Sequence, residues 1–291
     1  TCTQSALPAA LVCALAGVPL RLAYSRENPY RLLTDWVPDT EQVGPRMRHE
    51  VERQLRLVAA IGCAARDERL RFCLRPHDLA SLAAACDGSG FDAGRPYVVV
   101  HPGASAPSRR WPAERFGAAA ARLAPLFDGI AVTGSADERP LVEAVCERAG
   151  PRAVPLAGAL PLGELGALIE TADLLLSNNS GPVHLAAALG TPVVDLYALT
   201  NPQHTPWRVP HRALNVDVPC RNCYRSVCNQ PGHPCLLGVS VDDVVAATHA
   251  LLRGSERHAQ RAAARAAVRG VEPVAANASN VIPFAHVITR S

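Results

Sequence analysis

Four stretches of this chain combine glycine, hydroxyl and charged residues in ways that can hold a phosphate-bearing ligand. In "HPGASAPSRRWPAERF" (101–116), Gly103, Ala104 and Ser105 allow close backbone approach, and Arg109 and Arg110 stand just before a helix start. Arginine beside a helix N-terminus makes a phosphate clamp, because free N–H groups and a cation act together; a solvated loop with two surface arginines is the plainer alternative. In "VTGSADERP" (132–140), Asp137 and Glu138 enter a helix. That is ordinary N-terminal helix chemistry, or a carboxylate that accepts from ribose hydroxyls. In "SNNSGPVHLAAALG" (177–190), Ser180 fits an N-cap and Pro182 the first helical position. The amides of Ser180 and Gly181 then face a ligand, and His184 projects from the first turn. Capping plus a backbone-bonded histidine is the competing reading. In "YALTNPQHTPWRVP" (197–210), Thr200, Asn201 and His204 line a candidate site loop, with a plain surface loop as the equal alternative.

A fifth stretch concerns metals. Cys220, Cys223, Cys228 and Cys235 follow the spacing C-x2-C-x4-C-x6-C, with His233 among them. Four thiolates can close a tetrahedral zinc site and staple a loop that has no core of its own. Such a site is structural, since four cysteines leave no open coordination position. A reduced or disulfide-linked loop is the alternative.

The elements that must position these residues follow from hydrophobic period. From residue 97, apolar runs of four to six residues alternate with helical patterns: "YVVV", "GIAV", "AVPLA", "DLLL" and "PVVDLY" are strands. Strands alternating with helices make βαβ units and a parallel sheet covered on both faces, so the fold class is α/β. Ligands of such sheets bind outside the carboxyl ends of the strands, where the first four stretches lie. Before residue 90 the ingredients are sparser: a helix at 6–16, a short strand at 19–25, a helix at 49–61 and another in "RPHDLASLAAAC". Residues 87–96 ("DGSGFDAGRP") are the best linker, giving domains 1–90 and 91–253 and a tail 254–291.

Bulk composition excludes several classes. The chain has 291 residues, 48% of them hydrophobic, enough for two cores at about 100–200 residues each. The net charge is +3, and no basic block is interleaved with aromatics, so nucleic acid is not expected as a partner. No lysine occurs; all 29 basic residues are arginine, so any phosphate-binding cation is Arg. The other six of ten cysteines are scattered singly, as small buried hydrophobes in a reducing cytoplasm are. No apolar run reaches the roughly 18 residues of a membrane span, and no leader is visible. The chain opens on Thr1 with Met47 as its only methionine, and a first domain lacking its opening units is the expectation. Arg253, Arg257, Arg261, Arg265 and Arg269 recur every fourth residue, as a solvated helix face or a contact for anionic lipid headgroups. Residues 271–291 read as disordered.

Taken in order, "VVVHPGASAPSRRWPAERF", "VTGSADE", "LLLSNNSGPVHLAAALGTPVV" and "LTNPQHTPW" resemble glycosyltransferase family 9, the heptosyltransferases of lipopolysaccharide core assembly. The cysteine loop resembles one found in members of that family. The resemblance is strong over about 90–250 and extends to 1–62. It implies a GT-B fold, two Rossmann-like domains facing across a cleft, the N-terminal one incomplete here. It implies an ADP-sugar donor, a lipid-linked saccharide acceptor, and inverting transfer that needs no cofactor. The location implied is the cytoplasm, with peripheral contact at the inner membrane. Carried over, Arg109 stands at the donor diphosphate, Glu138 at the ribose hydroxyls, and Asn179, Ser180, Gly181 and His184 at the diphosphate and sugar. Two departures follow. The family commonly has Asp where this chain has Asn179, which leaves the sugar open. The family's general base lies in the first strand–loop of the N-terminal domain, ahead of this chain's first residue, so the fragment itself is expected to transfer poorly. The alternatives are a non-catalytic nucleotide-sugar-binding relic and another GT-B enzyme such as a nucleotide-sugar epimerase.

Overall fold

The computed structural model describes residues 7–25, 28–41, 44, 47–86 and 90–254. The expected lipid-facing arginine row beyond Arg253 and the tail 271–291 lie outside the described residues. The chain divides into two compact units, Thr1–Glu68 with Pro202–His204, and Arg69–Asn201 with Thr205–Ser291.

The first unit contains α1 (Leu7–Leu15), β1 (Leu22–Ser25), β2 (Asp35–Pro38) and α2 (Glu50–Ala59). β1 and β2 pair in parallel, with Leu22 opposite Asp35. Side chains alternate across a strand, and here the alternation sets both faces. Ala23 packs with Ala10 of α1 and Leu33. Leu22 and Tyr24 point the other way, onto Leu57 of α2. His49 caps α2 by accepting from Val51 N at 3.1 Å, and Glu50 and Glu52 suit its positive end. Gln203 belongs to this unit: its carbonyl accepts from Glu50 N, and its Nε2 donates to Arg48 O at 3.2 Å.

The second unit contains α3 (Pro76–Cys86), β3 (Tyr97–His101), α4 (Ala113–Leu123), β4 (Gly129–Gly134), α5 (Arg139–Ala149), β5 (Ala153–Ala157), α6 (Leu162–Thr171) and β6 (Leu174–Asn178). It continues with α7 (Gly181–Leu189), β7 (Val193–Leu196), β8 (His211–Leu214), α8 (Pro234–Leu237) and α9 (Val241–Arg253). Its six strands form one sheet in the order β5-β4-β3-β6-β7-β8, every neighbour pair parallel. The sheet separates two apolar layers. Val98, Val100, Ile130, Val132, Leu174 and Leu176 face α4, α5 and α9, while Tyr97, Val99, Ala131 and Leu175 face α3, α6 and α7. Both layers are buried, which is why the inner strands read as continuous apolar runs.

The units divide at 68/69, so the boundary expected at 90 falls inside the second unit. Leu70, Phe72 and Leu74 pack on the same layer as α3. Phe91, in the expected linker, is 7% exposed and meets the Tyr97 ring edge-on at 4.9 Å. The segment looked like a linker by its Gly, Asp and Ser content, yet its one aromatic is a core residue. Among the described residues no helix is long and apolar enough to cross a membrane.

Candidate nucleotide site

The chain leaves β3 for β4 and β5 on one side, and takes β6, β7 and β8 on the other. Connections therefore diverge at the β3/β6 pair, opening a crevice beyond the carboxyl ends of these strands. His101 and Ser177 are paired across it. The loops after β3 and β6 are thus neighbours by topology, and Asn178 staples them together. Its Oδ1 accepts from Trp111 N at 2.9 Å, and its Nδ2 donates to Pro102 O at 2.7 Å. Asn178 is fully buried.

Three residues shape the floor. At Gly103 the absence of a side chain leaves room for Glu138, since a Cβ there would collide with the Glu138 carboxylate. The Glu138 carboxylate therefore lies over the backbone just past β3. Its other oxygen accepts from Ser135 N at 2.9 Å, which holds it at the turn before α5. His101 lies beside it. Its Nδ1 bonds Thr133 Oγ1 at 3.0 Å. Burial holds the imidazole below its ordinary pKa even though the Glu138 charge acts to raise it.

At the start of α7, the Ser180 side chain caps nothing; its hydroxyl donates back to Asn178 O at 3.1 Å. The first-turn amides of α7 are therefore not taken by a side-chain cap. No atom lies within 4 Å of where a Gly181 Cβ would sit, so a ligand has room to approach. Asn179 points the other way. It is 7% exposed, and its Nδ2 donates to Asp195 Oδ2 at 3.0 Å. Asp195, in β7, is fully buried; burial pushes its carboxyl up to about 8, partly opposed by the Asn179 bond.

These pieces line a pocket of about 480 Å³, with polar residues His101, Thr133, Glu138, Ser180 and Gly181 and apolar residues Leu156, Leu160, Leu162 and Leu165. Among the expected site residues, Glu138, Ser180 and Gly181 meet there. Asn179 is behind the wall and half-buried His184 does not line it. Arg109 ends the turn 107–109 between β3 and α4, and its guanidinium has no partner among the described residues, whereas Arg110 Nε is tied to Ala104 O at 2.7 Å. His101, Thr133, Asn178 and Asp195 were not singled out from sequence.

The expected site loop is divided. Thr200 lines a different cavity, Asn201 receives the Tyr197 hydroxyl on its carbonyl, and His204 belongs to the first unit. That second cavity, about 260 Å³, is the cysteine one: Cys220, Cys223, Cys228, Cys235 and His233 all line it. Among the described residues no three His, Cys, Asp or Glu side chains are grouped so as to hold one ion. The thiols stand round the cavity wall, and the nine described cysteines are all free. The loop is instead stitched by hydrogen bonds. Ser108 N donates to Ser226 O and Ser108 Oγ to Arg225 O, so the turn carrying Arg109 rests on the cysteine loop.

An all-parallel sheet wound both ways from a switch point, with a ligand-sized pocket at that point, defines a Rossmann-like α/β protein. The chain belongs to glycosyltransferase family 9 (heptosyltransferase), whose model matches residues 2–233. It is 36% identical over 117 residues to a lipooligosaccharide heptosyltransferase 2 of Haemophilus influenzae, covering 38% of this chain and 34% of that one. It is 29% identical over 206 residues to lipopolysaccharide heptosyltransferase 2 of Escherichia coli K12, covering 68% and 58%. These matches span between a third and three-fifths of the relatives' lengths. The solved Escherichia coli ADP-heptose lps heptosyltransferase II shares the fold, with a TM-score of 0.65 at 24% identity over 86% of this chain and 74% of that one.

Proposed function

We propose that this chain binds an ADP-sugar, ADP-heptose first among candidates, and serves in its transfer to a lipopolysaccharide core or lipid A-type acceptor. The observation that carries the reading is the pocket at the β3/β6 switch point. Its apolar leucine wall suits a nucleobase, Glu138 suits the ribose hydroxyls, and the amides at Ser180–Gly181 suit a diphosphate. Arg109, unpartnered on the adjoining turn, supplies the cation. Family membership and the names of the heptosyltransferase relatives support the sugar and the acceptor.

The proposed chemistry is inverting and needs no metal. An acceptor hydroxyl loses its proton to a carboxylate base and attacks the anomeric carbon; the new C–O bond forms as the bond to the diphosphate oxygen breaks. Arg109 and the α7 amides stabilise the charge gathering on departing ADP. His184, in the first turn of α7, is assigned to the sugar side, while Asn179, anchored on Asp195 behind the pocket wall, is assigned to holding the loop before α7. The setting proposed is the cytoplasmic face of the inner membrane.

A structural zinc at the four cysteines is a separate proposal. Their convergence on one cavity supports it, their spread round that cavity does not, and no catalytic step is routed through it. Metal analysis of purified protein tests it: one zinc per chain is expected, and a metal-free, stably folded chain would refute it.

The functional test is incubation with ADP-heptose and a heptose-free lipid acceptor. ADP release dependent on acceptor supports transfer. Binding of ADP-heptose with no release points to a non-catalytic binding protein, and sugar isomerisation without acceptor to an epimerase.

A further inference from the structure

The pocket holds two acceptors side by side. Glu138 presents its carboxylate over Gly103, with one oxygen already receiving Ser135 N. His101 ends β3 next to it. The Thr133 hydroxyl has the Val100 carbonyl as its acceptor at 3.5 Å, which leaves its oxygen to receive a proton from His101 Nδ1 at 3.0 Å. In that tautomer Nε2 is a bare acceptor, and it has no partner among the described residues. Burial lowers the ring's pKa, against the pull of the Glu138 charge, and so favours the neutral form. A neutral acceptor next to an anionic one repels phosphate and asks for a ligand with two adjacent hydrogen-bond donors.

We propose that His101 is a ligand-specificity residue, its Nε2 and the Glu138 carboxylate together clamping the vicinal diol of a ribose. This rests on the nucleotide reading of the pocket. His101 takes one hydroxyl, Glu138 the other, and Thr133 is the positioning residue that fixes the tautomer. The clamp gives the site its preference for ribonucleotides over deoxyribonucleotides, whatever the sugar carried by the diphosphate.

The test is calorimetric titration of the chain with ADP, 2′-deoxy-ADP and 3′-deoxy-ADP. Wild type is expected to favour ADP over each deoxy analogue about tenfold, the worth of one hydrogen bond to a site left otherwise unpaired. His101→Asn keeps an atom near Nδ1 for Thr133 and removes the Nε2 acceptor, so discrimination at one hydroxyl falls to within about twofold while the other persists. His101→Gln places an acceptor near Nε2 and keeps the discrimination. If His101→Asn does not fold, Thr133→Val decides instead: with the ring unanchored, the same discrimination falls. Undiminished discrimination in the deciding variant overturns this inference and leaves the nucleotide reading intact. A wild type that binds no ADP overturns both.

Discussion

Asn179 and Asp195 form a buried pair across the end of the sheet, Nδ2 to Oδ2 at 3.0 Å, with the other Asp195 oxygen unpartnered among the described residues. A carboxyl so enclosed is costly as an anion and cheap as an acid. Its carbonyl oxygen still fixes the Asn179 amide, immediately before the helix start that meets the pocket. The pair thus ties the loop after β6 to β7, as Asn178 ties it to β3.

Stability is predicted to fall with rising pH on account of Asp195. Folded, it titrates at about 8; unfolded, near about 4. Between those values the unfolded chain has released a proton that the folded chain retains, so folding weakens as pH rises through the window and levels off above it. Asp195→Asn keeps an acceptor for Asn179 and removes the titration. Melting curves at pH 5, 7 and 9 should show wild type losing several degrees more than the variant. Parallel curves would count against a raised Asp195.

Gly103→Ala should separate binding from stability. The added Cβ collides with the far end of the Glu138 side chain, not with backbone. Glu138 can swing away at small cost, so the melting temperature should hold within a few degrees while ADP affinity drops by about tenfold or more. An unchanged affinity would remove Glu138 from the site.

Asn178→Ala should do the reverse of a surface change. It strands Trp111 N and Pro102 O in a buried place. Leaving two such groups unpaired costs about 2–5 kcal/mol, readable by urea denaturation. A loss under about 1 kcal/mol would mean that the two loops are held by something else.

Arg109→Ala should leave the fold untouched, since the side chain has no partner among the described residues to lose. Affinity for ADP should fall about 10–100-fold, as expected for a charge-assisted contact, with adenosine affinity unchanged. Equal losses for both ligands would place Arg109 elsewhere than at the diphosphate.

Much of this was readable in advance, and what was not has physical reasons. β3, β4, β6 and β7 stood out because strands buried on both faces are unbroken apolar runs closed by Gly, Asn or Pro, and β5, at a sheet edge, stood out by its apolar composition alone. β2 ("DWVP") and β8 ("HRAL") did not, because a two-stranded sheet and a sheet edge bury too little for a pattern to form. Glu138, Ser180 and Gly181, which line one pocket, were singled out from their place after strands. Asp195 was hidden inside the run "VVDLY", where one acid passes for a strand-end residue. His101 stood only at the head of a quoted stretch, because its partner Thr133 lies 32 residues away on β4 and only the strand pairing brings them together. In the loop 197–210 polarity marks exposure as readily as function: Thr200 lines the cysteine cavity, and residues 202–204 belong to the first unit.

The most direct measurement is a crystal structure of the chain with ADP. The account predicts the base against Leu156, Leu160 and Leu165, the ribose at Glu138, and the diphosphate at Ser180–Gly181 with Arg109 turned onto it. Nucleotide density in the cysteine-lined cavity, or none at the β3/β6 crevice under saturating ADP, would contradict it.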